Sequence, residues 1–220
     1  MVRFMNADEA VACIRDNSTV MSGGFGPVGN PFTLLDALCR SPVSGLTWIS
    51  NSLGEPKDAF GKFVRTGKIK SAKGSIFNRN PEAIRMFREG KMDIEVMPMG
   101  NFVEKIRAGG AGLGGFYSPV GVGTIYEEGR EKRVINGREY LLEYPFTADF
   151  ALIYATKADR LGNLVYAKTT KNFNPIMATA AKITIAEVEE VVETGGIDPE
   201  EIMTPFVYVD IIVPKRELQR

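Results

Sequence analysis

The sequence predicts an α/β fold: an open, mostly parallel sheet with helices on both faces, plus a β-hairpin added to it. Three observations favour this fold. Short buried strands alternate with amphipathic helices, as in parallel βαβ units. An Asn-Gly pair at 136–137 lies between two strand-like runs, which is typical of a hairpin. No repeat, linker or low-complexity tract divides the chain, so we expect one domain over residues 1–220.

The first half of the chain is predicted to alternate regularly between helices and strands. Asn6 and Glu9 have the spacing of a capping box, and the helix that they begin is expected to end near Asp16-Asn17. Asn30 is expected to cap the second helix, with Pro31 at its first position. The other predicted elements are a strand at 19–21, a strand at 46–50, a helix at 58–65, a helix at 81–89 and a strand at 94–97.

The second half is predicted to be less regular. Seven glycines between 109 and 123 predict a long loop, which follows a helix whose last turn holds Lys105 and Arg107. A thin ligand could pass along such a loop, or the loop could pack against the surface of a partner. After the hairpin, we expect strands at 150–154, 183–186 and 207–213, and an apolar segment at 176–181.

Composition excludes several function classes. The 27 basic residues balance the 27 acidic ones, so no charge excess points to nucleic acid or to an anionic membrane. The absence of histidine excludes Ser-His-Asp and Cys-His catalysis and every imidazole metal site. Cys13 and Cys39 are too few for an all-cysteine zinc site, and they indicate buried thiols in a reducing cytoplasm. With no apolar run of about 18 residues, we expect a soluble, cytoplasmic protein.

A glycine-rich segment is the first candidate site. Residues 24–29 read G-x-G-x-x-G after a predicted strand and before a predicted helix, a context that suits anion binding at a helix N-terminus. A dinucleotide site also needs an acid at the end of the second strand, where this chain has Ser50-Asn51. Three interpretations stay open: another phosphate-bearing ligand, glycines that only make a tight turn, and NAD binding.

Several blocks, in order, resemble the first (A, or alpha) subunit of family I CoA-transferases. This family includes acetate/acetoacetate, succinyl-CoA:3-oxoacid and 3-oxoadipate CoA-transferases. The resemblance covers nearly the whole chain and is carried by the segments at 16–31, 106–112, 118–124, 159–164 and 172–175. Ser22 departs from the first block, where an apolar residue is usual.

The resemblance implies that this chain is one of two kinds of subunit that together form the active enzyme. In this family the second (B, or beta) subunit carries a glutamate that attacks the acyl-CoA, forms an acyl-glutamyl anhydride and then holds CoA as a thioester. The Ser-Glu-Asn-Gly block that carries this glutamate is missing from the sequence, so no catalytic nucleophile is expected in this chain. An ionised carboxylate needs positioning and oxyanion stabilisation rather than a base, which agrees with a chain that has no histidine.

The resemblance also indicates site residues. It places the first glycine loop at the CoA or active-site cleft, which here comprises Gly24, Phe25, Gly26, Pro27, Val28, Gly29 and Asn30. The family's Pro-Gln-Gly block supplies an amide to the oxyanion, but this chain reads Pro98-Met99-Gly100. Methionine cannot donate a hydrogen bond, and loss of one oxyanion donor typically slows an enzyme about 10²–10³-fold. Our hypothesis is that Asn101 or a backbone N–H substitutes at the Met99 position.

We therefore expect the alpha subunit of a heteromeric CoA-transferase, assembled with the beta subunit, most simply as A2B2. It would move CoA between a short acyl-CoA, such as succinyl- or acetyl-CoA, and a short carboxylic acid, most simply a 3-oxo acid. CoA would be a substrate, with no permanently bound cofactor. Two alternatives stay open: a Rossmann-like oxidoreductase domain, based on the same glycines, and a non-catalytic binding subunit, based on Met99.

Overall fold

The central feature of the fold is a nine-stranded sheet. The structure is a computed structural model that describes residues 2–215. Its strands are β1 (Arg3–Phe4), β2 (Thr19–Ser22), β3 (Leu46–Ser50), β4 (Ile69–Gly74), β5 (Asp93–Val96), β6 (Phe116–Ser118), β7 (Lys132–Ile135), β8 (Arg138–Glu143), β9 (Ala148–Asp159), β10 (Leu164–Val165), β11 (Ala181–Val192) and β12 (Ile211–Pro214). Eight strands run parallel in the order β1-β12-β11-β9-β2-β3-β4-β5, and β10 pairs antiparallel with β9.

Helices cover both faces of this sheet, as the sequence predicts. They are α1 (Ala7–Val11), α2 (Phe32–Arg40), α3 (Ala59–Arg65), α4 (Pro81–Arg88), α5 (Met99–Gly110) and α6 (Asn174–Thr179). Helices α1 to α4 pack on one face, and α5 and α6 pack on the other. The two faces have separate cores because successive strand residues point to opposite sides: Val20 joins the first core and Met21 joins the second. The α/β fold class is confirmed.

The predicted hairpin is also confirmed. Strands β7 and β8 pair antiparallel, and Asn136 and Gly137 both have positive φ, at 51° and 77°, as a two-residue hairpin turn requires. Strand β6 pairs with the other side of β8, which makes a small three-stranded sheet separate from the main one.

The chain crosses over at the centre of the main sheet. From β2 it proceeds through β3 and β4 to the edge strand β5, and it then returns to β9, on the other side of β2. The loops that follow β2 and β9 therefore leave in opposite directions. In open α/β sheets, ligands bind in the crevice outside the carboxyl ends of the strands at such a switch point. The first glycine loop begins there, with the Gly23 amide donating to the Leu152 carbonyl at 3.0 Å.

The structure corrects several predicted boundaries. Helix α1 ends at Val11 rather than near Asp16-Asn17, because the chain tightens into a turn in which the Ile14 amide donates to the Val11 carbonyl. Strand β12 begins only at Ile211, after a 3-10 turn at Phe206–Tyr208. Strand β4 was not predicted, because its sequence, IKSAKG, lacks an apolar run.

The predicted loop at 109–123 is wrong in part. Gly109 and Gly110 belong to α5, and β6 interrupts the rest of the loop. A Cβ on Gly109 would lie 1.8 Å from the Phe146 carbonyl oxygen, and one on Gly110 would lie 2.1 Å from the Thr179 hydroxyl. These two glycines therefore allow α5 to approach its neighbours closely.

Candidate functional site

The candidate site lies at the carboxyl ends of the central strands. The first glycine loop follows β2, Asn51 follows β3, and Pro98-Met99 follows β5. Because all these strands are parallel, the three segments lie at the same edge of the sheet. We call it the carboxyl edge.

The first glycine loop (24–30) is a tight backbone turn. Phe25 and Val28 exchange two backbone hydrogen bonds, at 2.9 and 3.1 Å. Gly24, Gly26 and Gly29 have φ values of 114°, 55° and 70°, in the region that favours glycine. The backbone geometry therefore accounts for all three glycines of the motif.

Two asparagines hold this loop in place. Asn172 accepts from the Gly24 amide at 3.1 Å and donates to the Val28 carbonyl at 3.1 Å. Asn174 donates to the Gly29 carbonyl at 3.0 Å and accepts from the Tyr154 amide at 2.9 Å. Both come from one of the blocks that carry the family resemblance, although their role as anchors of the loop was not predicted.

An apolar cleft of about 450 Å³ opens beside the loop, lined by Phe25, Val28, Thr169 and Asn172. The ring of Phe25 stacks on Phe173 with centroids 6.4 Å apart, and almost half of Phe25 is exposed. Such walls suit a thin, mostly uncharged ligand segment better than a phosphate.

The N-terminus of α2 is already occupied, by a carboxylate from the sheet. Glu187 of β11 is fully buried, and its Oε2 accepts from the Thr33 and Leu34 amides at 2.7 and 3.2 Å. Burial raises the pKa of Glu187, and the bonds from Thr33 and Leu34 oppose this rise. A phosphate at this helix end would have to displace a buried side chain, so the expected phosphate site at the start of α2 has no free donors.

Glu187 also corrects the predicted cap of α2. The helix begins after Pro31, and no side chain of its own segment caps it. Asn30, the expected cap, instead donates its amide to the Gly26 carbonyl at 2.8 Å and so closes the first glycine loop.

Helix α5, in contrast, has no side-chain acceptor for its first amides among residues 2–215. Its N-cap residue is Pro98, and Met99 and Gly100 form the start of its first turn at the carboxyl edge. The Met99 side chain packs against the second core. The amides of an uncapped first turn are available as hydrogen-bond donors, and the helix dipole favours negative charge there.

The side chain of Asn101 has no free donor. It is 2% exposed, and its amide donates to the Val120 carbonyl at 3.3 Å and to Glu143 Oε1 at 3.1 Å. Its Oδ1 accepts from the Ser118 hydroxyl at 2.7 Å. Of the two donors that we considered for the Met99 position, the geometry therefore favours the backbone N–H groups.

Sequence reasoning missed two buried polar features near the edge. Glu143 is a buried carboxylate that collects donors from α5 and from the segment after β6. Asn51 is 1% exposed, and its Oδ1 has no hydrogen-bond partner among residues 2–215. Their sequence signal is weak, because a polar residue beside a strand is typical of an exposed position until the fold is known.

Two wider searches cover residues 2–215. No helix in this range is long and apolar enough to cross a membrane. No group of three or more His, Cys, Asp or Glu side chains in the same range is placed to hold a metal ion.

A family model and the relatives found by sequence comparison all carry the description CoA-transferase. Residues 4–215 match the family described as coenzyme A transferase. The chain is 42% identical to the alpha subunit of the acetate CoA-transferase of Escherichia coli K12, over 98% of each chain. It is 46% identical to the corresponding (A) subunit of the 3-oxoadipate CoA-transferase of Pseudomonas putida, over 93% of this chain and 89% of that one.

Comparison with solved structures finds the same fold in another protein. A crystal structure of an acyl-CoA transferase from E. coli O157:H7, solved as a thioester complex with CoA, superposes with a TM-score of 0.87 at 22% identity. The superposition covers 97% of this chain but only 47% of that one, so this chain spans about half the length of that enzyme.

Proposed function

The chain belongs to the coenzyme A transferase family, and from this premise we propose that it is the alpha subunit of a heteromeric CoA-transferase. The proposed enzyme moves CoA between a short acyl-CoA, such as succinyl- or acetyl-CoA, and a short carboxylic acid, in the first instance a 3-oxo acid. The observation that carries the proposal is the match, over more than nine-tenths of the chain, to relatives named as subunits of CoA-transferases.

In the proposed reaction, the nucleophile comes from the beta subunit. Its glutamate carboxylate attacks the thioester carbonyl of the acyl-CoA, and the CoA thiolate leaves, which gives an acyl-glutamyl anhydride. The thiolate then attacks the glutamyl carbonyl and releases the first acid, leaving a glutamyl-CoA thioester. The second acid takes CoA by the same two steps in reverse. No step needs a histidine, and this chain has none.

This chain would contribute binding and electrostatics. The apolar cleft between Phe25 and Thr169 suits the thin pantetheine arm of CoA. The uncapped first turn of α5, at Met99 and Gly100, offers backbone N–H groups to the oxyanion that forms on the attacked carbonyl. In this proposal they take the role that the family gives to a glutamine, which this chain lacks.

The assembly and location follow from the same proposal. We expect an A2B2 complex, with two copies of this chain and two of the beta subunit, and no permanently bound cofactor. We also expect a cytoplasmic location, which the free thiols of Cys13 and Cys39 support. The single domain over 1–220 stays a prediction.

The oxidoreductase alternative loses its basis, because Glu187 fills the helix end at which a dinucleotide pyrophosphate would sit. NAD should therefore leave the melting temperature of the purified protein unchanged, whereas a ligand that binds the native state would raise it. The non-catalytic alternative predicts that the complex with the beta subunit forms but has no transferase activity.

The test of the proposal is a tagged pull-down of this chain from its native lysate, with the co-purifying protein identified by peptide sequence. We expect a near-stoichiometric partner of similar size that carries a Ser-Glu-Asn-Gly block. The purified complex should then exchange CoA between an acyl-CoA and a free acid. Recovery of the chain alone, as a homo-oligomer, would contradict the proposal.

A further inference from the structure

Glu143, at the end of β8, is the centre of a buried polar cluster. Its Oε2 accepts from Lys105 Nζ at 2.8 Å and from the Tyr126 hydroxyl at 3.0 Å, and its Oε1 accepts from the Asn101 amide at 3.1 Å. The side chain of Glu143 is fully buried, and that of Lys105 is 7% exposed. We call these four residues the Glu143 cluster.

The donors of the cluster come from two different parts of the fold. Asn101 and Lys105 lie on successive turns of α5, whereas Tyr126 lies on the segment after β6. This segment, residues 119–127, contains the left-handed glycines Gly121 and Gly123. It forms no strand or α-helix, so its position depends on the side chains that hold it.

The same segment crosses the first turn of α5. Asn101 donates to the Val120 carbonyl, and Ser118 donates to Asn101. Further along, the Arg130 guanidinium stacks 3.6 Å from the centre of the Tyr126 ring and donates to the Tyr126 carbonyl. The segment is therefore held at Val120, against Asn101 in the first turn of α5, and at Tyr126, against Glu143.

The chemistry of the cluster points to positioning. A buried ion pair gains little stability over apolar residues of similar size, because both charges lose their hydration. Its distinctive effect is geometric, since one carboxylate with several donors permits few arrangements of the elements that carry them. Here those elements are residues 119–127 and the helix whose first turn offers backbone N–H groups to the candidate site.

We propose that Glu143 is a positioning residue for CoA transfer: through Tyr126 and Asn101 it fixes residues 119–127 against the first turn of α5, so that the amides of that turn face the reacting carbonyl. This inference rests on the proposed function. It goes beyond that function in assigning a role to a residue that does not touch the substrate.

Tyr126→Phe, in the complex with the beta subunit, is the most direct test. It removes one hydrogen bond to Glu143 and leaves the ring in place. The matched control is Tyr117→Phe on β6, because the Tyr117 hydroxyl also donates to a carboxylate, Glu131, at 2.6 Å, but this hydrogen bond is exposed. Both variants should melt within about 4 °C of the wild type, since each loses one hydrogen bond.

The kinetic readout separates positioning from stability. We expect Tyr126→Phe to lower kcat about tenfold and to leave the KM for acyl-CoA within about twofold of the wild-type value. Misplaced donors stabilise the transition state less well, whereas they affect the binding of the substrate little. Tyr117→Phe should leave both constants unchanged. Equal kcat values for the two variants, or a change in the KM alone, would overturn the proposal.

Hydrogen exchange gives a second readout that does not need activity. Tyr126→Phe should speed amide exchange both at 119–127 and at Phe102, whose amide donates to the Pro98 carbonyl at 2.9 Å in the first turn of α5. Tyr117→Phe should speed exchange at neither place. Faster exchange at 119–127 alone would show that the segment and the helix are not coupled, and would also overturn the proposal. A wild-type complex without transferase activity would count against the proposed function. The hydrogen-exchange result would then test, independently of activity, whether residues 119–127 are coupled to α5.

Discussion

At the scale of single residues, polar side chains of this protein mostly hold backbone in place. Asn172 and Asn174 anchor the first glycine loop, Glu187 caps α2, and Asn101 joins α5 to the segment above it. The sequence shows these residues but not their roles, because the partners are remote: Thr33 and Glu187 are 154 positions apart. Resemblance to a family pointed to the segments at 16–31 and 172–175, and the fold assigned the contacts between them.

Asn101→Ala should destabilise the chain. The substitution leaves Glu143 Oε1 and the Ser118 hydroxyl without their partner in a buried site, and each such loss costs about 1–3 kcal/mol. Urea denaturation measures the change in the free energy of unfolding, with Asn78→Ala, at an exposed position, as the control. A free energy of unfolding equal to that of the control would show that the buried contacts of Asn101 are not formed.

Glu187 gives a pH-dependent prediction. Because burial raises its pKa above the usual 4.5, the folded state favours the protonated form. The contribution of Glu187 to stability is therefore full below about pH 4.5 and falls as the pH rises through the raised pKa. Glu187→Gln keeps the acceptor for the α2 amides but removes the titration.

The stability of the wild type relative to Glu187→Gln should thus decrease from about pH 4.5 upwards. Denaturation curves measured over this range give the difference, and Glu190→Gln, at an exposed position on the same strand, is the control. A constant difference between wild type and Glu187→Gln across the range would refute the assignment.

At the scale of elements, the sequence predicted best where signals are local. Asn6 caps α1, Asp58 caps α3, and Asn80 caps α4, each within three residues of its donor amide. Of these three caps the sequence predicted only Asn6, and it placed the starts of α3 and α4 within one residue of the observed ones. Strand β4 was missed because its neighbours in the sheet, rather than its own polar sequence, stabilise it.

Gly109 and Gly110 were expected in a loop because glycine usually disfavours helices. We expect Gly109→Ala to destabilise the protein by about 2–3 kcal/mol, because the new Cβ would overlap the Phe146 carbonyl. Gly100→Ala is the matched control in the same helix, where a Cβ would have nothing within 4 Å. Thermal denaturation compares them, and equal melting temperatures would show that α5 does not approach Phe146 so closely.

At the scale of the whole molecule, topology assembles the candidate site. Because β2 and β5 run parallel, the first glycine loop after β2 and the uncapped start of α5 after β5 both lie at the carboxyl edge. Alternating strands and helices were enough to predict this architecture from the sequence. They could not predict that a carboxylate would fill the start of α2 and leave α5 open, because that depends on the register of β11 against its neighbours.

The central claim is that this chain forms a CoA-transferase in which the partner holds the covalent intermediate. The most direct measurement is intact mass spectrometry of the purified complex after brief incubation with an acyl-CoA. We predict that the partner subunit gains the mass expected for a glutamyl-CoA thioester, while this chain keeps its mass. A CoA adduct on this chain, or no adduct on either chain together with no exchange of CoA, would contradict the account.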